Sequence, residues 1–103
     1  MNIEEVRRAL VENRISQSAC LINPAVCREG ALCLKQEADG NWTVTLNERG
    51  EYIVQESFAS ENAACRCFLK IALTDPTFRI EFKQSDLGKF LEEQEELLRK
   101  YNL

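Results

Sequence analysis

The sequence predicts an α+β fold: an antiparallel sheet of three to four strands packed against helices, in the order α-β-β-β-α-β-α. Three observations predict it. Apolar residues recur at helical spacing near both ends of the chain. Trp42–Leu46 alternates with the period of a half-buried strand between two turn signals, and Ser60 stands as a helix cap directly after the next extended run. The 103 residues fit a single domain spanning 1–103. A chain of this size removes roughly two-thirds of its unfolded surface from water, enough for one core without staples.

The elements follow in order. Ile3, Val6 and Leu10 define a first helix over 2–13, with Asn2 as cap and Glu4 and Glu5 in the first turn. Asn23-Pro24 marks a turn, and Gly30 precedes a strand over Ala31–Glu37. Asp39-Gly40 predicts a type I′ hairpin turn, whose two central residues both need positive φ. Trp42, Val44 and Leu46 of the next strand face one layer, and Thr43 and Thr45 the other. Asn47–Gly50 supplies a second turn, and Glu51–Ser57 a third strand. The helix capped by Ser60 carries a narrow polar stripe of Asn62, Arg66 and Lys70 opposite Ala64, Phe68 and Ile71, so it packs on the sheet with one wet edge. Asp75-Pro76 ends it. Phe78, Ile80 and Phe82 alternate with Arg79 and Glu81, the pattern of a fourth strand over Thr77–Lys83. The last helix starts near Ser85 or Asp86 and runs to about Asn102, with Glu95–Arg99 and Glu96–Lys100 pairs four apart.

Composition excludes several function classes. The chain has no histidine, which removes the commonest general base, the usual Ser or Cys triads and most zinc enzymes. Its formal charge of −4 argues against a nucleic-acid binder, which needs a basic stripe. No apolar run approaches the roughly 20 residues needed to cross a bilayer, and Met1–Glu5 lacks the basic and apolar character of a signal peptide. A cytoplasmic location is the expectation. Five cysteines, an odd number at irregular spacing without a C-x-x-C pair, suit reduced, buried thiols better than a disulfide framework or a metal knuckle. Glu92, Glu93, Glu95 and Glu96 read as a solvated helix face. No catalytic, cofactor-binding or metal-binding set is expected, and the chain reads as a binding protein rather than an enzyme.

The central segment carries a resemblance. An amphipathic first helix, Gly40-x-Trp42-x-Val44, Glu48-Arg49-Gly50 and Phe58-x-Ser60-Glu61-x-x-Ala64-Cys65-x-x-Phe68-Leu69 together resemble small bacterial immunity proteins of polymorphic toxin and contact-dependent growth inhibition systems. The resemblance covers residues 1–73. It implies a cytoplasmic, non-enzymatic antitoxin that binds a cognate toxin C-terminal domain, often a nuclease, and blocks its active site or its access to substrate. The acidic balance suits a basic partner, with no direct role for nucleic acid or membrane. Such contacts differ between family members and do not transfer with the motif. Loop position and charge instead nominate Glu37, Asp39, Glu48, Glu51, Tyr52 and Glu56 as the partner-binding residues. Two other classes stay open at this point: an adaptor or regulatory subunit unrelated to toxins, and a cysteine-based metal or redox protein.

Overall fold

Asn2 opens helix α1 (Ile3–Glu12) from an extended conformation, and its side chain accepts the Glu5 N–H at 2.9 Å. This satisfies one of the orphan donors of the first turn, while Glu4 and Glu5 complement the positive end of the helix. Val6, Ala9 and Leu10 form its buried stripe. The helix ends in a Schellman motif. Arg14 adopts φ +55°, its N–H reaches Val11 O at 3.2 Å, and the Ile15 N–H reaches Leu10 O at 2.9 Å. A glycine is the usual occupant of that left-handed position; here an arginine holds it. The computed structural model describes residues 1–103.

Four strands follow: β1 (Cys20–Ile22), β2 (Leu32–Gln36), β3 (Trp42–Glu48) and β4 (Glu51–Phe58), lying side by side in that order. β2, β3 and β4 form the expected antiparallel meander, and β1 adds to β2 in parallel. Trp42, Val44 and Leu46 are all buried, as their alternation predicts. Across the ladder they meet Gln36 and Phe58, Leu34 and Glu56, and Leu32 and Val54 respectively. This inner face receives α2 (Glu61–Thr74), which buries Ala64, Cys65, Phe68, Leu69, Ala72 and Leu73. Ser60 caps α2 by accepting the Ala63 N–H at 3.1 Å, and Asn62 and Lys70 stay exposed while Arg66 is half-buried. α1 lies against α2, and a third helix, α3 (Leu87–Lys100), also packs against α2.

The α+β class and the helix packed on a meander are as expected; three local expectations are corrected. The fourth strand is Cys20–Ile22, and Thr77–Lys83 is not a strand. Asp75 accepts both the Thr77 N–H at 3.0 Å and its hydroxyl at 2.7 Å, which winds Pro76–Phe78 into a 3₁₀ turn. Glu81 then takes φ +59°, which breaks extension. All that survives of the pairing is one antiparallel bridge between Ile15 and Arg79, flanked by Ser16 N–H to Phe78 O and Ile80 N–H to Arg14 O. Type I′ geometry belongs to the other hairpin: Arg49 and Gly50 have φ +53° and +80°, whereas in the Glu37–Asn41 loop Gly40 alone has positive φ. On α3, Arg99 pairs with Glu95 at 3.0 Å as expected, but Lys100 turns to Glu12 of α1 at 3.7 Å instead of Glu96. Tyr101 decides this by donating its hydroxyl to Glu12 at 2.8 Å, which draws that carboxylate to the end of α3.

Phe68 is wholly buried and lies in the cluster shared by the sheet, α1 and α2. Phe68→Ala is expected to cost about 3–5 kcal/mol of unfolding free energy in a urea titration, because the site is closed in on every side.

Candidate partner-binding surface

The β3–β4 hairpin projects the least protected part of the sheet. Arg49-Gly50 turns the chain in two residues, which sets Glu48 opposite Glu51. Two positions further on the register slips: Leu46 pairs with Val54 but Asn47 pairs with Tyr52, leaving Ile53 as the extra residue of a β-bulge. Tyr52 and Ile53 are 57% and 59% exposed. β4 is the last strand of the sheet and pairs with β3 alone, and no turn or loop hydrogen bond takes up the outward backbone groups of Glu51–Phe58. An eight-residue edge of this kind is a template for another chain.

The six residues nominated by sequence do not share one surface. Glu48, Glu51 and Tyr52 gather at the hairpin tip. Glu37 and Asp39 lie in the loop at the opposite end of β3, about 20 Å away at the rise of an extended strand. Both have local work there: Glu37 accepts the Thr43 hydroxyl at 2.9 Å, and Asp39 accepts the Asn41 N–H at 2.9 Å. Glu56 pairs across from Val44, on the helix side of the sheet; burial raises the Cys67 pKa, and the Glu56 charge adds to that rise. Ile53 joins the tip although composition did not nominate it. Its signal was present in the run Tyr52-Ile53-Val54, since three consecutive apolar residues in a strand cannot all face one layer.

The cysteines correct another expectation. Cys27 and Cys33 are joined by a disulfide with Cα atoms 6.0 Å apart; Cys20, Cys65 and Cys67 are free. The bond staples the nine-residue crossover from β1 to β2 (residues 23–31) onto β2 itself. Spacing alone could not select this pair, because the two sulfurs meet only once the crossover folds over the sheet. Cys20 and Cys65 are buried in the core. Burial, with Asp75 nearby, pushes the Cys20 thiol from 9.0 up to about 12. Burial, with Glu61, pushes Cys65 from 9.0 up to about 11. Such thiols are poor nucleophiles, and no group of three His, Cys, Asp or Glu side chains is placed to hold a metal ion.

Comparison with protein families, with curated proteins and with solved structures finds no match to this chain. No helix is long and apolar enough to cross a membrane.

Two measurements check the thiol assignment. In denaturant without reductant, a chromogenic disulfide reagent should count three thiols, rising to five after reduction. In the native protein only half-buried Cys67 should react on the time scale of minutes. Reduction of the Cys27–Cys33 loop should lower stability by about 2 kcal/mol, the loop-closure value for so short a ring. The raised pKa values fix a pH dependence as well. The folded chain holds the Cys20 and Cys65 protons more tightly than the unfolded chain, so their contribution is complete below pH 9 and is lost as pH climbs through 11 to 12. The urea midpoint should therefore fall above pH 9, and fall less steeply in Cys20→Ala and Cys65→Ala.

Proposed function

We propose that this protein is a cytoplasmic immunity protein that neutralises a bacterial toxin domain by stoichiometric binding, with the β3–β4 hairpin tip and the open β4 edge as its contact surface. The observation that carries the reading is the facing pair Glu48 and Glu51 beside exposed Tyr52 and Ile53. Like charges directly opposite in a ladder repel. A basic residue of a partner seated between them relieves that repulsion, and Tyr52 and Ile53 supply the aromatic and aliphatic anchors on which tight interfaces depend. The motif resemblance over residues 1–73 and the acidic balance of the chain support the same reading. A nuclease domain, which carries basic groups for phosphate, is the partner class this chemistry suits best.

Inhibition on this reading is occlusion. A toxin held through its basic surface has lost the groups that would bind its substrate, so no chemistry is required of the antitoxin. Tight binding is required, since free toxin must stay scarce, and the hairpin tip alone is smaller than the roughly 1,600 Å² of a standard interface. The outward backbone of β4 extends the contact along the sheet by strand addition.

Co-expression with a candidate toxin domain taken from the genes flanking the one for this chain tests the reading. The wild-type protein should restore growth and co-purify with the toxin in a one-to-one complex. Combined Glu48→Lys, Glu51→Lys and Tyr52→Ala should leave the fold intact, because all three side chains are exposed. It should weaken binding by about 100-fold or more and abolish protection. Growth arrest in the presence of abundant, folded wild-type antitoxin would overturn the proposal.

A further inference from the structure

A second site lies away from the hairpin, where the end of α1, the segment after the 3₁₀ turn and the start of α3 enclose a concavity of about 380 Å³. Its floor is Arg79. The guanidinium carbon sits 4.9 Å from the centroid of the Phe90 ring, and Phe90 is itself held edge-on by Phe82 with centroids 5.6 Å apart. Arg79 Nε is shielded from solvent and has no hydrogen-bond partner; the only other buried polar side-chain atom in that position is Asn47 Oδ1. No carboxylate lies within ion-pair distance of the Arg79 side chain. A planar guanidinium fixed on an aromatic face, with its two terminal Nη groups unpaired, is an arrangement that recognises a carboxylate end-on through two parallel hydrogen bonds.

The surrounding charges narrow the ligand. Glu81 is engaged with Arg14 at 3.0 Å and Glu93 with Lys89 at 3.9 Å, while the Asp86 carboxylate takes the Lys83 N–H at 3.4 Å. Arg79 is the cation left without an acceptor. Burial lowers its pKa from the usual guanidinium value and the Glu93 charge opposes that shift, so an incoming anion would offset a partly desolvated positive charge. The nearby carboxylates of Glu81 and Glu93 repel a dianion more strongly than a monoanion. Ile80, 47% exposed, and half-buried Phe82 add apolar wall that the core leaves uncovered. Glu81 holds its left-handed backbone beside them, a strained conformation of the sort concentrated at ligand sites.

We propose that this concavity binds a small organic carboxylate, with Arg79 clamping the carboxyl group and Ile80 and Phe82 against its hydrocarbon body. The volume falls in the range of small-molecule sites. Recognition here is independent of the toxin reading, because none of the residues belongs to the hairpin.

The arginine Nε–Hε signals of ¹⁵N-labelled protein report the site directly. In the free protein Arg79 Hε should exchange with water more slowly than the Hε of exposed arginines such as Arg8. Sodium benzoate should shift the Arg79 signal saturably, with a Kd on the order of 1 mM. Benzamide, which keeps the ring and lacks the charge, and inorganic phosphate, which keeps charge and lacks the hydrocarbon, should each bind at least about tenfold more weakly. Arg79→Gln, followed through backbone amides of residues 79–82, should lose the benzoate response, and Arg8→Gln should keep it. Should Arg79→Gln fail to fold, Ile80→Glu, on an exposed side chain, tests the same site by placing a negative charge on the wall, and it too should weaken benzoate. A shift that does not saturate, an equal response to benzamide or phosphate, or benzoate binding unchanged by Arg79→Gln or Ile80→Glu would overturn the proposal.

Discussion

Burial of α2 is the constraint on which the other elements depend. Ala64, Cys65, Phe68, Leu69, Ala72 and Leu73 are all closed to water, so the helix is apolar around most of its circumference and must be covered on several sides at once. The inner face of β2 and β3 covers one side through Leu32, Leu34, Val44 and Leu46, and α1 covers another through Val6, Ala9 and Leu10. α3 also packs against α2 and is tied down at its end: Asn102 O accepts from Arg66, and Tyr101 joins Glu12 and Asn13 of the α1 end. A single amphipathic stripe would need one layer. A helix buried this fully needs the sheet and two further helices, which is why a chain of 103 residues spends three helices on one four-stranded sheet.

That same demand leaves the outer face of the sheet without a helix, and the crossover from β1 to β2 takes its place. A parallel connection ordinarily uses a dozen or more residues, commonly as a helix; residues 23–31 make it in nine. So short a loop needs anchors. Asn23 donates its N–H to Leu34 O at 2.7 Å, Gly30 donates to Asn47 O at 2.7 Å, and Glu29 accepts the Arg49 N–H. Cys27–Cys33 adds the covalent anchor and explains why Cys33, on a strand, is closed to water. In a reducing cytoplasm the pair stands as thiols, and the hydrogen bonds then carry the crossover. The Glu29 contact also ties the crossover to the β3–β4 turn, so the proposed toxin-binding tip is braced from behind.

The two proposed sites use opposite solutions to placing charge. At the hairpin tip, acids face each other in full contact with water, where mutual repulsion is screened and persists until a cation arrives. In the concavity a guanidinium is partly withdrawn from water onto an aromatic ring, where the cation–π contact replaces some of its lost hydration and its Nε–H stays unpaired. The first arrangement favours a large charged partner reached through diffusion and steering. The second favours a small ligand that fits a fixed fork.

What the sequence by itself determined is whatever local chemistry decides. Asn2 and Ser60 cap their helices because each side chain reaches a backbone N–H three residues on. Trp42, Val44 and Leu46 share a layer because a strand has period two, and Asp75-Pro76 stops a helix because proline brings neither the N–H nor the freedom to continue it. The β3–β4 tip was legible only in part: Asn47–Gly50 reads as a turn beside Glu48, Glu51 and Tyr52, but type I′ geometry was expected at Asp39-Gly40 and Ile53 was not nominated. Tertiary structure decided the rest, for one reason: contacts made outside a residue's own element leave no local mark. Phe78, Ile80 and Phe82 alternate as a strand would, yet the segment finds only Arg14–Ser16 to pair with and curls at Asp75 and Glu81. Three unpatterned residues, Cys20–Ile22, become a strand because Leu32–Leu34 lies beside them. Cys27 meets Cys33 only once the crossover folds over the sheet, and Arg79 meets Phe90 only once the segment after the 3₁₀ turn lies against α3, so neither the staple nor the Arg79 site could be read before the fold was known.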